Sequence, residues 1–266
     1  MADPNPPVIV WFRQDLRLAD NPALQAAAAT GAPVIPVYIL DDDAPGDWRP
    51  GGASRWWLHH SLASLASDLQ QLGGELALMK GEAQEQLDAL IEQTGADAVF
   101  WNRLYEPWAR KRDEAIKSSL KDRGVRARSF NGSLIVEPWD IATKTGNPYK
   151  VFTPFWKSLK ADHTPAEPTG RPDALQLHAH EGGLSLDDLD LLPTKPDWSG
   201  GLQENWTPGE AAAHGRLGQF LKAAVSDYSD RRNLPGQSGT SRLSPHLHFG
   251  EISPRQVWHA VKQSDH

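Results

Sequence analysis

Within its first 133 residues the chain repeats one unit: a short apolar run followed by a helical pattern. The runs are Val8–Phe12, Val34–Leu40, Leu76–Met79 and Ala98–Trp101, with a weaker fifth at Ala127–Phe130. A run that is apolar at consecutive positions, without alternation, suits a strand covered on both faces. Strand and helix in alternation predict an α/β fold, a Rossmann-like parallel sheet with helices on both sides. Pro36 inside the second run suggests an edge strand or a strand start, because proline donates no ladder hydrogen bond.

The intervening helices announce their ends. Asn21-Pro22 reads as a cap followed by proline in the first turn. Between Ser54 and Leu72, Leu58, Leu62, Leu65, Leu69 and Leu72 fall on one helical stripe, and Gly73-Gly74 closes it. Glu82–Thr94 and Glu106–Arg123 predict two further helices. No Gly-x-Gly-x-x-Gly follows the first run, and no Gly-x-x-x-x-Gly-Lys-Ser/Thr occurs anywhere. The common dinucleotide and triphosphate cradles are therefore absent.

Residues 134–206 lose the rhythm and are rich in Pro, Gly, Asp and Thr. They read as an interdomain linker, packed in places by Trp139, Phe152, Phe155 and Trp156. Helical signals return at residue 207. Thr207-Pro208-Gly209-Glu210 and Ser253-Pro254-Arg255-Gln256 both have the form of a capping box with proline in the first turn. The expected organisation is a domain at 1–133, a linker at 134–206, and the start of an all-α domain at 207–266. So short a helical segment is not expected to bury its own faces.

Composition narrows the chemistry. The chain has no cysteine, which excludes disulfides, thiolate metal sites and cysteine nucleophiles. No apolar run is long enough to span a membrane, and the opening Met1–Pro7 lacks the form of a secretory signal, so a cytoplasmic protein is expected. The net charge of −7 is uneven. Residues 201–266 hold 7 of the 27 basic and 6 of the 34 acidic residues, a balance of +1, which leaves −8 for residues 1–200. Contact with a polyanion belongs to the C-terminal part.

That part holds the most informative stretch, Tyr228 to Ser253. In Gly239-Thr240-Ser241-Arg242-Leu243-Ser244-Pro245, three hydroxyls and a guanidinium precede a helix start. The positive end of a helix, with unpaired amides, binds anions, so a phosphate or pyrophosphate site is one reading and a polar capping loop the other. Arg231-Arg232 suits a DNA phosphate or an ion pair with Asp227 or Asp230. His246 and His248 are two apart, not the four of a helical metal pair, so no metal site is expected. His59-His60 and His178-x-His180 read as surface or linker residues. No nucleophile–base pair stands out by spacing.

Three long motifs resemble the photolyase/cryptochrome family. They are Val10-Trp11-Phe12-Arg13-Gln14-Asp15-Leu16-Arg17-Leu18 with the following Asn21-Pro22-Ala23-Leu24, then Asn147 to Trp156 (NPYKVFTPFW), then Thr240 to Ser253 (TSRLSPHLHFGEIS). The resemblance is to the N-terminal part of a class I-type cyclobutane dimer photolyase. It implies an antenna domain, a linker, and a helical domain that binds FAD, with Tyr228, Thr240, Ser241, Arg242, Leu243 and Ser244 on the FAD and Arg232 facing DNA. It also implies a monomer that acts on UV-damaged DNA, splitting pyrimidine dimers flipped out of the duplex by electron transfer from light-excited reduced flavin. Catalytic residues are expected beyond residue 266. A cryptochrome photoreceptor, and a non-enzymatic chromophore-binding module with a disordered C-terminal piece, are the alternatives. Pro107-Trp108-Ala109 stands where folate-using members carry polar contacts, so the antenna chromophore is a deazaflavin, a flavin, a folate or none.

Overall fold

The computed structural model describes residues 5–178 and 182–264. Met1–Pro4 of the N-terminal reading and His180 lie outside them. Five strands form one parallel sheet in the order β3-β2-β1-β4-β5. They are β1 (Val8–Phe12), β2 (Val34–Leu40), β3 (Ala77–Lys80), β4 (Ala98–Asn102) and β5 (Arg126–Phe130). Between them run α1 (Pro22–Ala28), α2 (Gly52–Gln71), α3 (Ala83–Thr94) and α4 (Pro107–Asp122). The sheet has a core on each face. Val8, Val10 and Phe12 of β1 pack with α1 and α2, while Ile9 and Trp11 pack with α3 and α4. Every β1 side chain is thus buried, which is why that run does not alternate.

Pro36 does not mark an edge: β2 lies between β1 and β3. Val34 donates to the carbonyl of Gln176 and accepts from His178 on the β3 side. Pro36, two residues on, points its missing donor the same way. The β3 ladder begins only at Val37–Ala77, so proline falls in a gap that needs no N–H.

Residues 134–206 carry α5 (Phe152–Asp162), a short 3-10 turn at Asp187–Leu189 and α6 (Gly200–Asn205). This stretch is fastened mainly by leucines; of the aromatics expected from its sequence, Phe155 and Trp156 are half-buried, with Trp156 edge-on to Trp258, and the other two are exposed. Leu175, Leu177, Leu186, Leu189 and Leu191 pack into the α1/α2-side core. Trp139 is 62% exposed and Phe152 70% exposed.

The remaining helices are α7 (Glu210–Ala223), α8 (Tyr228–Arg231), α9 (Ser244–His248) and α10 (Pro254–Gln263). Their own core is small: Ala213, Leu217, Leu243 and Ile252. The cluster is as small as the sequence implies. The segment is tied to the α/β unit by buried polar links. Glu251 accepts from Trp57, Ser61 and the Gly209 amide, and contacts His246. The Arg17 guanidinium donates to the carbonyls of Gly250, Asp20 and Gly132 at 2.7–2.8 Å. Arg255 and Ser253 meet the Asp20 carboxylate.

One predicted cap forms and the other does not. At Ser253 the box is complete, with Gln256 bonding back to the Ser253 amide. At Thr207 it is not: α7 starts after Gly209, which has φ 112. Glu210 is drawn away to accept from the amides of Leu18 and Ala19 at 2.7 and 3.0 Å. His59 and His60 are also more than surface residues. They lie half-buried on α2, and burial lowers both pKa values.

Candidate cofactor sites

Parallel α/β sheets bind ligands beyond the carboxyl ends of their strands, where the strand order reverses. Here that point lies between β1 and β4, and a cavity of about 630 Å³ opens over the ends of β1, β2 and β4. Its walls carry the rings of Trp11, Tyr38, Trp48, Trp108 and Phe249. Its charged lining is Arg13, Arg49, Arg112, Asp41, Asp42 and Glu106. Two of the three arginines are committed. Arg13 pairs with Asp113 at 2.8 Å, and Arg112 lies 3.1 Å from Asp113 and 3.8 Å from Asp41. Both guanidiniums also stack on Trp11, at 4.5 and 4.7 Å. Burial lowers the pKa of Arg112, and burial with the nearby Asp42 raises that of Tyr38, so the phenol stays neutral. Trp48, 83% exposed, stands at the rim on the 3-10 turn Gly46–Trp48. The cavity is therefore an aromatic slot with neutralised polar walls, suited to a planar ring system.

Of these residues only Trp108, at the position where folate-using members carry polar contacts, was connected with a chromophore from the sequence. The signal that could have found the others is positional: Arg13 and Asp41 follow directly on the ends of β1 and β2, and Leu104 lies two residues past the end of β4.

The second site is the turn around Thr240–Ser244. Among the described residues, the amides of Thr240, Ser241, Arg242 and Ser244 find no hydrogen-bond acceptor. Arg242 holds φ 53, a left-handed conformation unusual for a residue with a side chain. Leu243 is buried as the anchor, while Thr240, Arg242 and Ser244 face solvent. Ser244 begins α9, which is only five residues long, so its dipole is short and the free amides carry most of the attraction. Free amides, three hydroxyls and a guanidinium are the donor set a diphosphate requires, and FAD fits it on that ground.

The other predicted residues gather less tightly. Tyr228, 40% exposed, opens α8 and packs edge-on against Phe220 at 5.7 Å. Arg232 follows α8 with its guanidinium 5.9 Å from the Tyr228 ring. Arg231 takes the ion pair with Asp227 at 3.2 Å, which leaves Arg232 as the outward-facing cation of the two.

The two sites share α9: Ser244 starts it, and His248 and Phe249 at its other end line the cavity. Residues 8–173 match the family model described as DNA photolyase. This chain belongs to the DNA photolyase family. A deoxyribodipyrimidine photo-lyase from Agrobacterium fabrum is 49% identical over 96% of this photolyase-family chain, which covers 53% of that relative. Cryptochrome-1 of Arabidopsis thaliana is 38% identical, with 96% of this chain and 37% of the relative covered. Among solved structures, a bacterial class III photolyase from Agrobacterium tumefaciens is 48% identical with a TM-score of 0.93, covering 99% of this chain and 54% of that one. The chain spans about half the length of these relatives or less.

No helix among the described residues is long and apolar enough to cross a membrane, and no group of three or more His, Asp and Glu among them could hold a metal ion.

Proposed function

We propose that this chain supplies the antenna domain (1–133), the connecting segment (134–206) and the diphosphate-gripping start of the flavin domain (207–266) of a light-driven DNA-repair photolyase. One observation carries the reading: the Thr240–Ser244 turn presents four amides with no acceptor among the described residues, beside the exposed Thr240 and Ser244 side chains, held there by the buried Leu243. Polar groups left unbonded at a surface turn suit an anionic ligand. Thr240, Ser241, Arg242 and Ser244 hold the FAD diphosphate, Leu243 fixes the turn, and Tyr228 borders the cofactor. Bound reduced FAD supplies the light-excited electron that splits the cyclobutane ring of a pyrimidine dimer. Arg232, exposed and without an ion pair among the described residues, meets the phosphates of UV-damaged DNA. The aromatic cavity holds a planar antenna chromophore, with Trp108 in the wall where a folate-using member would place polar groups. The 48% identity to the class III photolyase of Agrobacterium tumefaciens favours that subgroup over a class I-type enzyme.

A cryptochrome photoreceptor is the second reading, favoured by 38% identity to Arabidopsis thaliana cryptochrome-1, equal to that of a Synechococcus photo-lyase. Repair separates the two. The chain, extended by the coding sequence of its parent, is given thymine-dimer DNA with and without blue light. Light-dependent loss of dimers supports the photolyase reading, and binding of flavin without repair overturns it in favour of the photoreceptor.

A further inference from the structure

Trp206 lies outside every motif discussed above, yet two cations share its ring. The Arg242 guanidinium lies 4.3 Å from the indole centroid and that of Arg216, from α7, lies 5.1 Å away. Neither arginine has an acidic partner or a hydrogen bond among the described residues. The indole is itself fixed, edge-on to Trp57 of α2 at 5.4 Å. Like charges brought together without a counter-ion repel, and burial together with Arg242 lowers the pKa of Arg216. An arrangement that collects two cations beside four free amides lacks one component, an anion.

We infer that Trp206 is a positioning residue, which holds Arg242 and Arg216 as a two-cation clamp for a diphosphate or phosphodiester at the 240–244 turn. The inference rests on the anion-binding reading of that turn and adds two residues to it. Trp206 acts through Arg242: the ring face sets the guanidinium's plane, and that contact supports the left-handed backbone at Arg242. Arg216 is the second charge.

The test is titration of the full 266-residue chain with inorganic pyrophosphate at low ionic strength, with melting temperature measured for every variant. Arg242→Gln and Arg216→Gln are each expected to weaken binding about tenfold, the size of one charge-assisted hydrogen bond. Trp206→Leu should match Arg242→Gln, Trp206→Phe should restore most of the affinity, and the Trp206→Leu/Arg242→Gln double variant should be no weaker than Arg242→Gln alone. Full affinity in Trp206→Leu or Arg216→Gln, while Arg242→Gln weakens binding, overturns the clamp and leaves the turn's reading intact. Absence of pyrophosphate binding in the unmodified chain overturns both. If Trp206→Leu does not fold, the Trp206→Phe and Arg216→Gln results decide. Competition names the source: displacement of pyrophosphate by FAD supports a dinucleotide, and displacement only by a single-stranded oligonucleotide assigns the clamp to DNA.

Discussion

The indole nitrogen of Trp57 donates a 2.9 Å hydrogen bond to the carboxylate of Glu251, 194 residues further along the chain. The same carboxylate accepts from Ser61 and from the Gly209 amide, and its other oxygen meets His246. All of this is buried. One side chain thereby joins α2 of the sheet layer to the loop before α7 and to α9.

Removing Glu251 leaves several buried donors without an acceptor. Glu251→Ala is expected to lower the stability of the chain by about 4 kcal/mol, in the range for breaking a buried polar cluster on one side. Urea unfolding followed by tryptophan fluorescence measures it. A shift below about 1 kcal/mol, the net value of a single hydrogen bond, would show that the link is not closed in solution.

Gly250 has φ 67, and a β-carbon there would lie 2.1 Å from the Gln14 carbonyl oxygen and 2.5 Å from Asp15 Cα. Both obstacles are backbone and cannot rotate away. Gly250→Ala therefore adds steric overlap to the cost of a left-handed alanine, about 1–2 kcal/mol by itself. The chain should be destabilised by more than that backbone cost alone, and its melting temperature should fall. An unchanged melting temperature would refute the close approach of α9 to the loop after β1.

His59 and His60 give the stability a direction with pH. Burial is the main cause of the lowered pKa at both, with His59 opposing further at His60 and Asp187 partly compensating at His59. A histidine whose folded pKa lies below its unfolded one takes up a proton on unfolding first. Its neutral burial costs nothing well above the unfolded value of about 6.5, and stability falls as pH drops through and below that value. The urea midpoint is expected to decrease between pH 7.5 and pH 5.5, and a His59→Asn/His60→Asn double variant should show a shallower decrease. An equal slope in both chains would place the cause elsewhere.

FAD should be held poorly by residues 1–266 alone. Tyr228, Thr240, Arg242 and Ser244 all face solvent, so a dinucleotide touching them buries little of its own surface. Purification without added flavin, followed by the absorption spectrum, should give far less than one flavin per chain. A stoichiometric yellow protein would contradict this.

Much of the fold was readable from the residues. Four strand positions follow from unbroken apolar runs, β5 from a weaker signal, and the helices between them from patterns such as the leucine stripe of α2 and the Asn21 cap, all of them local signals. The errors share a cause. Pro36 marks an edge by its own chemistry, but the crossing of residues 176–178 gives it a gap in the ladder. Glu210 belongs to a capping box by spacing, but two distant amides compete for it and win. Trp139 is apolar enough to pack, but its ring rests against Tyr105 and the Arg103 guanidinium and stays largely exposed.

The candidate sites divide in the same way. The hydroxyls and guanidinium of 240–244 are contiguous, so local composition marks a polar turn that reads either as an anion site or as a capping loop, and the family resemblance favours the first. The aromatic cavity and the Arg216–Trp206–Arg242 group draw on residues tens to hundreds of positions apart. Sequence periodicity reports which face of an element is apolar, and that determined the sheet, its helices and the polar turn. It carries no record of which distant side chains meet. Only tertiary packing, in which buried Glu251, Arg17 and Asp20 draw the C-terminal helices onto the sheet layer, decided that the turn and the cavity would share one short helix.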